Sequence, residues 1–156
     1  MELTIILFLF GGLFLGWSLG ANDAANVFGT AVGTRMISFK TAALVCSIFV
    51  VLGSVISGAG TTETIAKLGA INALPGAFAC CLAAGSSVYL MTKAGLPVST
   101  TQAIVGAIIG WNFFTSSKID YNVLTTILAT WILCPILAGV IAIGIFTLVK
   151  KIVFNS

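Results

Sequence analysis

Hydrophobic residues run along this chain in long blocks, and short polar stretches separate them. The first block covers 3–34 and the second 41–60. A third runs from Leu74-Pro75 to about Met91, a fourth over 99–113, and the last from Asn122 to about Val149. At 1.5 Å of rise per residue, about 20 residues cross a hydrocarbon core of ~30 Å, so the longer blocks predict membrane-spanning helices. The alternation of a membrane barrel strand is absent, and open backbone is not tolerated in lipid. The predicted class is therefore an all-α integral membrane protein, a polytopic helical bundle forming one transmembrane domain over 1–156. The fourth block is short for a crossing, about 22 Å, and Gly95-Leu96-Pro97 separates it from the third. The 74–113 unit thus reads as a re-entrant helical hairpin or as a pair of spans, and Pro135 predicts a kink in the last helix.

Composition agrees with the pattern. Hydrophobic residues make up 59% and charged residues 7%, with no histidine, and the mean hydropathy is +1.18. Globular domains carry about 25% charged residues. Lys and Arg stand mostly singly in the turns, so the net charge of +3 is no argument for nucleic acid. The start, Met1-Glu2-Leu3-Thr4, lacks the basic region and cleavage site of a removable signal, so the first helix is expected to stay. Cys46, Cys80, Cys81 and Cys134 all lie in apolar blocks without metal-ligand spacing and read as small core residues. Gly12, Gly16, Gly20 and then Gly29 and Gly33 form a stripe at four-residue spacing that predicts close helix packing.

Crossings fix the topology. The hairpin adds either none or two, so the total is odd and the termini lie on opposite sides. Arg35, Lys40, Lys150 and Lys151 then share one side, with Lys93 if the hairpin arms cross, and Lys67 and Lys118 the other. The positive-inside rule places the N-terminus outside and the C-terminus inside a cell membrane.

Two polar constellations interrupt the blocks. Gly20-Ala21-Asn22-Asp23-Ala24-Ala25-Asn26 sets an acid deep in the first block, which predicts a discontinuous or bent helix. A charge at that depth costs at least ~2.5–3.5 kcal/mol, which calls for a cation, a proton or a polar partner. A second polar stretch, Gly60-Thr61-Thr62-Glu63-Thr64, reads as a loop ending near Lys67. Pro97-Val98-Ser99-Thr100-Thr101 puts three hydroxyls where a helix begins. One suffices for a cap; three beside the free N–H groups of the first turn make an anion site without lysine or arginine. An anion next to Asp23 would be repelled unless a positive ion lay between them. Na⁺ held by Asp23, Asn26 or Asn22 and backbone carbonyls would attract the anion, whereas protonation of Asp23 would only remove the repulsion. Cation-coupled anion transport is the function this points to.

The stretches Gly20–Asn26 with Gly29-Thr30-Ala31-Val32-Gly33, and Gly95-Leu96-Pro97-Val98-Ser99-Thr100-Thr101-Gln102-Ala103-Ile104-Val105-Gly106-Ala107, closely resemble the two signatures of the inorganic phosphate transporter (PiT) family. The resemblance implies a Na⁺- or H⁺-coupled permease in which Asp23 and Asn26 help hold the cation and Ser99, Thr100 and Thr101 bind phosphate. Gln102 stands where many members have histidine. Some relatives carry sulfate. Members usually contain both signatures twice, in inverted halves, and this chain has each once; the resemblance therefore implies one half of an inverted-repeat transporter that needs a second half, as a homologous chain, a second copy in a dimer or the rest of a longer protein. A non-transporting assembly or regulatory subunit is the alternative of another class, and a channel a further one. An intramembrane enzyme is disfavoured, since no base accompanies Ser99, and no cofactor beyond the coupling ion is implied.

Overall fold

A computed structural model describes residues 2–69 and 74–154. Five α-helices carry almost all of them: α1 (Glu2–Gly33), α2 (Phe39–Leu68), α3 (Leu74–Lys93), α4 (Thr100–Thr115) and α5 (Tyr121–Val149). A π-helical turn, Lys150–Phe154, follows α5. The chain divides into two compact units, Met1–Ile119 and Asp120–Ser156. In the second, Asp120 caps α5 by accepting from the Asn122 and Val123 amides, and Pro135 lies inside a helix that continues past it.

The described residues form an all-helical protein, and among them four helices are long and apolar enough to cross a membrane: within Thr4–Gly33, Phe39–Gly60, Leu74–Lys93 and Tyr121–Ile152. α4, with 16 residues, covers about 24 Å and is the short one. Large apolar side chains cover the outside, among them Leu13, Phe49, Val55 and Phe114. That is the surface a helix needs against lipid.

Within the first unit, α1 lies along α3, and α3 pairs with α4. The junctions are made by glycines that admit large side chains. Gly11 faces the Phe78 ring, Gly85 the Phe14 ring and Gly76 the Trp111 indole, and a Cβ at any of the three would stand under 3.0 Å from those rings. Gly11 meets Phe78 and Gly85 meets Phe14, so α1 and α3 run the same way. Gly76 against Trp111 and the Cys80 thiol against the Ala107 carbonyl oxygen (3.7 Å) make α3 and α4 antiparallel. Gly95, at φ +72°, turns the chain between them in a conformation that glycine adopts without strain. α3 and α4 are thus antiparallel neighbours, an arrangement that a re-entrant hairpin and a pair of spans share.

Three details differ from what the sequence suggested. First, α1 is a single helix through Gly20–Asn26 rather than a discontinuous one. Asn22 and Asp23 find tertiary partners in Thr92 and Thr100, so the backbone ladder has no need to open. Second, Gly60–Thr64 is helical, because α2 continues to Leu68. Thr62 and Thr64 donate to the Gly58 and Gly60 carbonyls of the preceding turn (2.9 and 3.0 Å), and Lys67 pairs with Glu63 at 2.6 Å. Third, the glycines at 12, 16, 20, 29 and 33 pack against nothing within 4 Å. Four of them line an open groove of about 800 Å³ between α1 and α2, with Asp23 on its wall. Of the cysteines only Cys80 is fully buried; all four are free thiols.

Candidate functional site

The two polar constellations, 77 residues apart in sequence, meet. Thr100, at the first position of α4, is buried and donates its hydroxyl to the Asp23 carboxylate, at 3.3 Å from both oxygens. Pro97 keeps the segment before α4 extended, Ser99 then caps the helix by accepting from the Gln102 amide (3.3 Å), and Thr100 follows on the side facing α1. Thr101 and Gln102 are exposed. Of the three consecutive hydroxyls, one therefore caps, one binds the carboxylate and one stands open beside the helix start. No lysine or arginine forms an ion pair with Asp23 among the described residues.

Asn22 is the buried centre of the site. One end of its amide lies 2.9 Å from Thr92 Oγ1, at the end of α3. The other end lies 2.8 Å from the Val98 carbonyl oxygen, 3.2 Å from Asp23 Oδ1 and 3.3 Å from Asn26 Nδ2. Which end carries the nitrogen follows from the surrounding hydrogen bonds. Of the two orientations, only the turned-over one satisfies both ends of the amide. In one, Thr92 donates to the Val88 carbonyl (2.7 Å), the Asn22 nitrogen donates to Thr92, and the Asn22 oxygen accepts from Asn26 while facing two further oxygens, of Val98 and Asp23. In the other, the amide is turned over: its oxygen accepts from Thr92, and its nitrogen donates to Val98 and Asp23. The first gathers four oxygens, from Asn22, Asp23, Val98 and Thr100, with no proton between the closest pair. The second places that proton. Asn26 is exposed and reaches the cluster only through Asn22.

Thr92 and the Val98 carbonyl were not legible as site groups in the sequence. Thr92, four residues after Val88, looks like any helical threonine that bonds its own helix. A carbonyl before a proline-led helix start leaves no side-chain signal.

Residues 19–156 match the Phosphate transporter family. The chain belongs to that family. A protein of Haemophilus influenzae named as a phosphate permease is 34% identical over 93% of this chain and 37% of its own length. A Plasmodium falciparum protein named a sodium-dependent phosphate transporter is 34% identical over 92% of this chain and 23% of its own. A solved structure titled as the sodium-dependent phosphate transporter superposes on the whole chain with a TM-score of 0.87 at 32% identity, and on 41% of that protein. The chain spans about two fifths, or less, of the length of these relatives.

Proposed function

We propose that the chain takes part in Na⁺-coupled transport of inorganic phosphate and supplies one half of the transport site. The contact between Thr100 and Asp23 carries this reading, because it joins the acid that wants a cation to the helix start that wants an anion. Na⁺ seated on the oxygens of Asn22, Asp23 and Val98 selects the first of the two amide networks, since the ion takes the place of the missing proton. Without Na⁺ the amide turns over, and its nitrogen occupies the cluster. Phosphate is held at Ser99, Thr100 and Thr101 by hydroxyls and the free N–H groups of the first turn of α4, whose dipole end is positive. Thr100 lies between the ions: when Na⁺ neutralises Asp23, its hydroxyl is released to the anion. Asn26 orients Asn22 and lies toward the entrance.

The names of the relatives support Na⁺ and phosphate over H⁺ and sulfate. Their greater length supports a second, oppositely oriented half, and Asp23 borders the open α1–α2 groove where a helix of that half has room to seat. In this reading an odd number of crossings puts the termini on opposite sides of the membrane, with the C-terminal lysines inside. Proteoliposomes containing the chain and whatever half it assembles with, driven by a Na⁺ gradient, should accumulate labelled phosphate, and sulfate should not compete. Uptake that is independent of Na⁺, or unchanged in Asp23→Asn, would sink the proposal. No uptake by the chain alone, restored by a homologous half, would identify it as a subunit that cannot transport unaided.

A further inference from the structure

One buried side chain on the face of α1 that carries Asn22 has no role in the network just described. Gly11, Ser18 and Asn22 are the buried positions of this face, toward α3. Ser18 is 1% exposed, and its hydroxyl has no hydrogen-bond partner among the described residues. Helical hydroxyls elsewhere in the chain donate to the carbonyl one turn back: Ser47 to Ala43, Ser87 to Ala83, Thr92 to Val88 and Thr115 to Trp111, all at 2.7–3.0 Å. Ser18 makes no such bond. Leaving a buried hydroxyl unsatisfied is costly, so such a group calls for a partner outside the described residues.

The place of Ser18 says what that partner is. It lies four residues before Asn22, and side chains at that spacing are neighbours on a helix face, with Cβ atoms ~5–6 Å apart. Na⁺ is about the size of Ca²⁺, whose oxygen ligands stand ~2.3–2.6 Å away, so one ion is shared by oxygens up to ~5 Å apart. In the network that faces it toward Val98 and Asp23, the Asn22 oxygen has the Val98 carbonyl oxygen at 2.8 Å and Asp23 Oδ1 at 3.2 Å, fewer oxygens than a hard cation of this kind takes. We propose that the Ser18 hydroxyl is a further ligand of the transported cation, and that the ion in its most deeply bound position sits one helical turn below Asp23, between Ser18 and Asn22. This rests on the Na⁺ reading of Asp23 above. It adds a step: the ion enters at Asn26 and Asp23 and is stripped of its last water at Ser18.

The test is ²²Na⁺ binding and thermal unfolding of the protein purified from native membranes in lipid nanodiscs, with any partner it retains, in NaCl and in choline chloride. Ser18→Ala should weaken Na⁺ affinity about tenfold, on the scale of losing a supporting group at a metal site, and shrink the Na⁺-dependent rise in unfolding temperature. Ser18→Cys keeps the size but offers a soft sulfur, and it should do the same. In choline both variants should unfold at or above the wild-type temperature, because an unsatisfied hydroxyl has been removed. Wild-type Na⁺ affinity in Ser18→Ala together with lost binding in Asp23→Asn would overturn the role of Ser18 and leave the Asp23 site standing. Lower stability of both variants in choline would also overturn it, by showing that the hydroxyl has a protein partner. Unchanged binding in Asp23→Asn would remove the cation site and this inference with it.

Discussion

Two stretches of this protein look alike on paper, Gly20–Asn26 in α1 and Gly60–Thr64 in α2. Each sets an acid and small polar groups into an apolar run, and each remains helical. They differ in where the polar groups find partners. In α2 the partners are local: Thr62 and Thr64 bond the turn before them, and Glu63 pairs with Lys67 four residues on. In α1 the partners are 70 and 77 residues away, Thr92 for Asn22 and Thr100 for Asp23. Local satisfaction lets a polar stretch continue a helix at the membrane edge. Tertiary satisfaction of a deep acid by one hydroxyl, with no basic partner, leaves a charge for something else to neutralise.

The contrast can be broken by mutation. Asp23→Asn should lower Na⁺-dependent phosphate uptake on the order of a hundredfold, the upper range for groups that support a bound metal, as measured by initial rates in vesicles. Asn22→Leu keeps the volume and removes the amide; it should abolish the Na⁺ dependence and cost about 1–3 kcal/mol of stability in detergent unfolding, because the Thr92 and Val98 groups lose a partner. Thr100→Val should raise the phosphate concentration for half-maximal uptake about tenfold, the worth of one hydrogen bond to a charged group. In α2, the pair Thr62→Val and Thr64→Val should leave uptake unchanged and stability within about 0.5 kcal/mol.

Glu63→Gln should show the smallest effect, and its pH dependence has a definite sign. The Lys67 hydrogen bond, and then its charge, hold the Glu63 carboxyl below its ordinary value. The pairing therefore contributes in full above the ordinary glutamate range of about 4.3 and is lost as pH falls through the lowered value. A stability difference between Glu63→Gln and wild type that grew above neutral pH would contradict this.

Most of the architecture was legible because membrane spans are written in composition. The boundaries of α3, α4 and α5 follow the apolar blocks, Pro97 and the turn at Gly95. Other features were not legible, for reasons of partner geometry. Whether Asn22 breaks α1 depends on Thr92 and Val98, which no local pattern ties to it. The stripe from Gly12 to Gly33 predicted close packing, yet the glycines that receive aromatic rings are Gly11, Gly76 and Gly85, which lie outside it. Ser18 reads as any small residue until its burial and its missing partner are known.

The central claim is that cation and anion sit on either side of the Asp23–Thr100 contact and so change each other's affinity by the same factor. The most direct measurement is the phosphate dissociation constant of the assembled protein in lipid as a function of Na⁺ concentration, for wild type and Asp23→Asn. The account predicts phosphate affinity that tightens with Na⁺ in wild type and is flat in the variant. Equal Na⁺ dependence in both would contradict it.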